Sequence, residues 1–119
     1  MHPKQHAKMM VKEFPGITIG LAQFLALVPH TSGLIMLTGD VDDNWHSILQ
    51  NPNYDDFCKK NFGQVVIHQS GFIGSDKHIE ETIRILEIAY GKDLDKDLSS
   101  WRQEYLYGVY GVCAFVRLD

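Results

Sequence analysis

The sequence is poor in cysteine and in long apolar runs, and both shortages exclude whole classes of protein. Its 119 residues include only two cysteines, Cys58 and Cys113, too few for a disulfide-stapled scaffold. The longest apolar run, residues 17–28, is shorter than the roughly 20 residues that a membrane-spanning helix needs. Glu13 and Pro15 precede this run and argue against a secretory signal. We therefore expect no membrane association, a cytoplasmic location and two reduced thiols.

Positive charge is also scarce, except near residue 1. Lys and Arg number 11 and Asp and Glu number 15, which gives a net charge of −4. Residues 1–12 contain three lysines and no acid, so eight bases and 15 acids remain elsewhere, with a net charge of −7. An acidic body repels phosphate backbones, so nucleic-acid binding is disfavoured. The same charge favours a cation or a protein partner with a basic surface.

The composition otherwise matches an ordinary globular domain, with 45% apolar and 22% charged residues. The length predicts one domain, residues 1–119, in which residues 1–14 form a peripheral N-terminal helix. This size is sufficient for a hydrophobic core that needs neither a metal ion nor a disulfide.

Periodicity and capping residues predict about five helices and a small sheet of three to four strands. Helices are predicted at 3–13, around 42–50, at 53–62, at 76–90 and near residue 100. Strands are predicted at 34–38, 64–68 and 109–118, the last of them central in the sheet. Residues 17–28 fit a helix better than a buried strand, and both remain open. The pattern indicates an α+β fold, or α/β if the strands are parallel.

The most prominent polar cluster directly follows the first predicted strand. Asp40, Asp42 and Asp43 precede His46 there, and carboxylates with an imidazole can bind Mg²⁺, Mn²⁺ or Zn²⁺. Together with His30, these residues form a candidate metal site for a small divalent-metal-dependent hydrolase. The simpler interpretation is that Asp42 or Asp43 caps a helix, because the spacing matches no calcium-loop motif.

A glycine-containing tract precedes the helix predicted at 76–90. Gly71, Gly74 and Ser75 would place backbone N–H groups at a helix N-terminus, where anions bind. The tract lacks the Lys-Ser/Thr ending of a P-loop, and Asp76 would repel an anion. A plain turn is therefore the alternative to an anion site.

Cysteine and histidine side chains provide the residue types of a nucleophile and its base, in Cys58, Cys113, His68 and His78. Cys113 lies inside an apolar strand, so we expect an inert core thiol. Cys58 is predicted near a helix C-terminus, which disfavours a thiolate. No C-x-x-C or H-x-x-x-H spacing links these residues. We therefore predict no catalytic cysteine, no structural zinc and no cofactor.

An aromatic segment near residue 105 offers a different kind of surface. Trp101, Arg102, Tyr105 and Tyr107 are of types enriched in interface hot spots, although such residues also fill the boundary of a core. The acidic part of a partner-binding surface would comprise Asp40, Asp42, Asp43, Asp55 and Asp56.

These observations favour a binding protein over an enzyme. We expect a small acidic cytoplasmic protein, of the inhibitor or immunity type, that covers a basic surface of another protein. The alternatives are the metal-dependent hydrolase and a subunit of a homodimer or larger assembly.

Overall fold

Six α-helices and three β-strands form the part of the chain that the computed structural model describes, residues 2–70 and 76–118. The helices are α1 (Pro3–Glu13), α2 (Ile19–Leu27), α3 (Asp40–Leu49), α4 (Tyr54–Phe62), α5 (Asp76–Tyr90) and α6 (Lys96–Leu106). The strands are β1 (Leu34–Leu37), β2 (Val66–Gln69) and β3 (Val112–Leu118). Together they form one compact α+β domain, which confirms the predicted fold class with three strands.

Short local signals set the boundaries of several helices. The Thr18 hydroxyl begins α2 by accepting a hydrogen bond, at 3.2 Å, from a backbone N–H of the first turn. Gly63 ends α4 with a φ of 77°, a left-handed conformation that suits glycine. Helix α6 begins at Lys96, earlier than predicted, because the Asp95 carboxylate accepts a hydrogen bond from the Asp97 N–H.

Helix α3 begins differently from the capping interpretation. Its N-cap residue is Gly39, so the prediction that Asp42 or Asp43 caps the helix is wrong. Asp40, Asp42 and Asp43 instead occupy the first turn, where the helix dipole favours negative charge. Of these three residues, Asp42 is buried.

The ambiguous segment 17–28 contains helix α2, which crosses the centre of the domain. All its residues from Gly20 to Leu27 are buried. A helix that is buried on every side has no polar stripe, which is why its period is weak in the sequence. Helix α1 packs along it and buries Ala7 and Met10. Within the described residues, no helix has the length and apolar character required to cross a membrane.

The sheet has the strand order β1-β3-β2, and both outer strands run antiparallel to β3. Strand β3 is therefore central, as predicted. Ala114 and Val116 are buried on the face of β3 that packs against the core. Trp101 of α6 also belongs to this core, since it is 2% exposed and its ring lies edge-on to Phe24, with the ring centres 5.9 Å apart.

A β-bulge interrupts the pairing of β1 with β3. Met36 pairs with Ala114. The next residue of β1, Leu37, pairs with Val112. Cys113 is therefore an extra residue with no partner on β1. Bulges of this kind change the direction of a side chain locally and are frequent beside functional sites.

Candidate metal centre

Three potential metal ligands from three different elements converge in the fold. His46 comes from α3, His68 from β2 and Cys113 from β3. One nitrogen of each imidazole and the Cys113 sulfur all lie within 4.8 Å of one another. Cys113 Sγ is 3.2 Å from His68 Nε2 and 4.0 Å from His46 Nε2. Within residues 2–70 and 76–118, this is the group of ligand-type side chains that could hold a metal ion.

The bulge in β3 explains how Cys113 reaches His68. His68 pairs with Val116, so these two side chains lie on the same face of the sheet. In a regular strand Cys113 would point to the face opposite Val116, because successive side chains alternate. The unpaired position of Cys113 turns its sulfur toward the His68 side instead.

A buried hydrogen-bond chain holds β2 beside α3. The Trp45 indole N–H donates to the Tyr54 hydroxyl at 3.2 Å, and that hydroxyl donates to the Val66 carbonyl at 2.6 Å. The Trp45 and His68 rings lie in contact, with their centres 5.2 Å apart. The His68 imidazole is therefore placed by packed neighbours and not by a mobile loop.

Asp42 orients the His46 imidazole. The two residues are four apart on α3, so they face each other across one helical turn. His46 Nδ1 is 2.9 Å from the main-chain oxygen of Asp42 and 2.9 Å from its carboxylate Oδ1. The main-chain oxygen accepts a hydrogen bond from Nδ1 only when this nitrogen carries the proton, and the adjacent carboxylate favours the same tautomer. The lone pair on Nε2, which faces Cys113, is then free for a metal ion.

The Asp42 carboxylate adds a buried negative charge beside the ligand His46. Its side chain is 9% exposed, and its Oδ1 atom is buried and accepts no hydrogen bond within the described part of the chain. The His46 Nδ1 proton is directed at the main-chain carbonyl of Asp42 and not at Oδ1. A buried carboxylate oxygen without a donor is costly unless a positive charge lies nearby.

The protonation of Cys113 favours a ligand role over a nucleophilic one. Burial, followed by the neighbouring Asp42 carboxylate, raises the pKa of the Cys113 thiol to about 12. At neutral pH the metal-free protein therefore carries a neutral thiol, which is a poor nucleophile. A bound cation would displace the thiol proton, as metal ions do from coordinating thiols.

The donor set and its spacing suit zinc. Two imidazoles and one thiolate are ligands that zinc prefers. Bond lengths of about 2.3 Å for Zn–S and about 2.0 Å for Zn–N place tetrahedral S and N ligands about 3.5 Å apart. The two S–N distances here, 3.2 and 4.0 Å, lie on either side of that value.

The metal cluster predicted from the sequence is only partly the one that the fold assembles. Asp42 and His46 belong to the assembled site. Asp40 and Asp43 are exposed on α3, and His30 is exposed at a 3₁₀ turn. None of these three joins the group of ligand atoms found in the described residues.

His68 and Cys113 complete the group, although their positions in the sequence form no metal-binding motif. The expectation that Cys113 is a core thiol is wrong, because this residue is only partly buried and contacts both imidazoles, whereas its raised pKa agrees with the expected low reactivity. Of the other thiol and imidazole candidates, Cys58 is buried and His78 is exposed, and neither belongs to the ligand group. The site is recognisable only from the pairing of β2 with β3, which brings His68 and Cys113 into contact across 45 residues of sequence.

The residues predicted to bind a partner divide between surface and interior. The exposed ones are Asp40, Asp43, Asp55, Asp56 and Tyr107. Trp101 is buried, and Tyr105 is partly buried. Arg102 forms ion pairs of 2.7 Å with Glu80 and with Glu87. The predicted anion site at Gly71, Gly74 and Ser75 lies outside the described residues.

No family model, curated protein or solved structure matches this chain.

Proposed function

We propose that the protein binds a divalent transition-metal ion, with zinc as the best fit, through His46, His68 and Cys113. The observation that carries the proposal is the convergence of these three ligand atoms, from α3, β2 and β3, within 4.8 Å. The buried Asp42 carboxylate, 2.9 Å from His46 Nδ1, adds negative charge that favours a cation at this site. Coordination requires a reduced Cys113, which agrees with the cytoplasmic location expected from the sequence.

Titration of the metal-free protein with zinc and with cobalt(II) tests this proposal. Zinc is expected to bind at a ratio of one ion per chain in competition with a chromophoric chelator. Cobalt(II) is expected to give a thiolate-to-metal charge-transfer band and the visible spectrum of a tetrahedral complex. Replacement of one ligand, by His46→Ala, His68→Ala or Cys113→Ser, is expected to weaken zinc binding at least about tenfold.

His30→Ala is the matched control for these ligand variants. His30 is an exposed histidine outside the ligand group, so its removal is expected to leave the zinc affinity unchanged. A cobalt spectrum without the thiolate band would contradict the proposal. So would a His30→Ala variant that loses as much affinity as His46→Ala, since the ion would then bind elsewhere.

An acidic binding protein remains a second candidate function. Four exposed aspartates support it, namely Asp40, Asp43, Asp55 and Asp56. Residues 13–58 contain no Lys or Arg to offset them. Such a surface accelerates and orients association with a basic partner, and added salt weakens that association. Binding of a partner that is insensitive to salt would contradict this second candidate.

A further inference from the structure

The proposed metal centre has three protein ligands, whereas zinc in proteins usually takes four. Structural zinc sites are closed by four protein ligands, and catalytic sites keep one position for water or substrate. In the described residues no fourth His, Cys, Asp or Glu joins the group of mutually close ligand atoms. The fourth position is therefore left to a small molecule.

Solvent can reach this fourth position. The His46 side chain is 47% exposed, so this ligand lies at the protein surface. His68 and Cys113 are partly buried and form the floor of the site. A zinc ion held in this way is open on one side and supported on the other, which is the arrangement that allows a bound water to react.

The fold does not require the ion for its stability. The core has large buried side chains on the helices and the sheet, such as Phe24, Met36 and Leu86, and none of these is a candidate ligand. A domain with such a core does not need a structural metal ion to fold. The donor set is therefore better explained by chemistry at the ion than by structural support.

The charge around the site selects among substrates. Asp40 and Asp43 are exposed on the helix that carries His46, and residues 13–58 contain no Lys or Arg. Arg117 of β3 occupies the face of the sheet opposite His68. Carboxylates on this helix disfavour anionic substrates such as phosphates and carboxylates, and they tolerate neutral or cationic ones.

From these features we infer that the ion activates a water molecule for the hydrolysis of neutral or cationic acyl esters, an inference that rests on the proposed metal binding. The bound water releases a proton to solvent, because zinc lowers the pKa of a bound water. The resulting hydroxide forms a C–O bond to the acyl carbon. The C–O bond to the alcohol then breaks, and the departing oxygen takes a proton from solvent.

Hydrolysis of para-nitrophenyl acetate by the zinc-loaded protein tests the inference. The rate is expected to be at least about tenfold higher than that of the chelator-treated protein and of free zinc at the same concentration. Bis(para-nitrophenyl) phosphate, which is anionic, is expected to react much more slowly. The exposed-histidine variant His30→Ala is expected to retain the full rate. Zinc content is measured on every sample.

The outcomes separate this inference from the proposed metal binding. A protein that retains one zinc without faster ester hydrolysis overturns the inference and leaves metal binding intact. Equal rates with and without zinc, abolished in Cys113→Ser, would assign the reaction to the thiol and also overturn it. Preference for the phosphodiester would overturn the substrate class. Failure to retain zinc would overturn metal binding and the hydrolysis with it.

Discussion

Asp42 places a buried carboxylate directly beside the ligand His46. It lies in the first turn of α3, yet its side chain is 9% exposed, whereas Asp43 beside it is exposed. Its Oδ1 atom lies 2.9 Å from His46 Nδ1 but accepts no hydrogen bond. A negative charge in this position makes His46 a stronger ligand and offsets part of the charge of a bound ion.

Asp42→Asn is expected to weaken zinc binding about 10- to 100-fold, the usual effect of removing a carboxylate that supports a metal-binding histidine. The metal-free variant is expected to be at least as stable as the parent protein, because the change removes a buried charge whose Oδ1 atom accepts no hydrogen bond. Competition titration measures the affinity, and urea unfolding measures the stability. Asp43→Asn, on the same turn but exposed, is the control and is expected to change neither. A variant with unchanged affinity and reduced stability would show that Asp42 is merely structural.

Individual functional residues were the least predictable feature of this chain. His46 and Asp42 are candidates from the sequence alone because they stand within a few residues of each other, directly after a predicted strand. Cys113 and His68 are separated by 45 residues and meet only through the pairing of two strands with β3. Cys113 and its apolar neighbours are residue types that predict a core strand. They give no signal for the β-bulge that changes the direction of the Cys113 side chain.

For single helices and strands, the sequence predicts the position correctly where an apolar period or a terminating glycine gives a clear local signal. Helix α5, Asp76–Tyr90, coincides with the predicted helix 76–90, because its apolar stripe repeats at the helical period. Helix α4 ends at Gly63 as predicted. Strand β3 is central because its apolar residues point to both faces. Helix α6 begins at Lys96, before the helix predicted near residue 100, because the Asp95 cap lies in a charged segment that resembles a linker.

Thr82 of α5 accepts a hydrogen bond from the outer edge of strand β1. The Ile35 N–H donates to the Thr82 hydroxyl at 3.0 Å, and this hydroxyl donates to the His78 carbonyl at 2.9 Å. Thr82 is 2% exposed, so water cannot take its place. Edge N–H groups that are buried must be paired within the protein.

Thr82→Val is expected to reduce the free energy of unfolding by about 1–3 kcal/mol, because it leaves the buried Ile35 N–H without an acceptor. Valine has nearly the shape of threonine, so the packing between α5 and β1 is retained. Thr82→Ser is the matched control, since it keeps the hydroxyl and is expected to be the less destabilised variant. Urea unfolding of both variants provides the measurement. A serine variant less stable than the valine variant would refute the role of this hydrogen bond.

For the whole molecule, size and shape agree with a domain that folds around its own core. The radius of gyration is 13.2 Å, and a compact chain of this length is expected at about 13.5 Å. Helix α2 lies at the centre of the core, and the ligand group lies at the side, between α3 and the sheet. The site therefore uses a scaffold that is already complete. Catalytic metal sites typically lie in domains that fold without the ion, whereas zinc fingers are unfolded when the ion is removed.

Removal of the metal is accordingly expected to leave the protein folded. The far-ultraviolet circular dichroism of the chelator-treated protein should match that of the zinc-loaded protein, because the core is independent of the ion. Zinc should nevertheless raise the melting temperature, since it binds the folded state only. At free zinc about 100 times the Kd, this stabilisation is about 2.7 kcal/mol, or about 10 °C for a domain of this size. A chelator-treated protein that is unfolded would instead assign the ion a structural role and remove the basis for an open, reactive coordination position. An unchanged melting temperature in saturating zinc would show that these ligands hold no ion in the folded state.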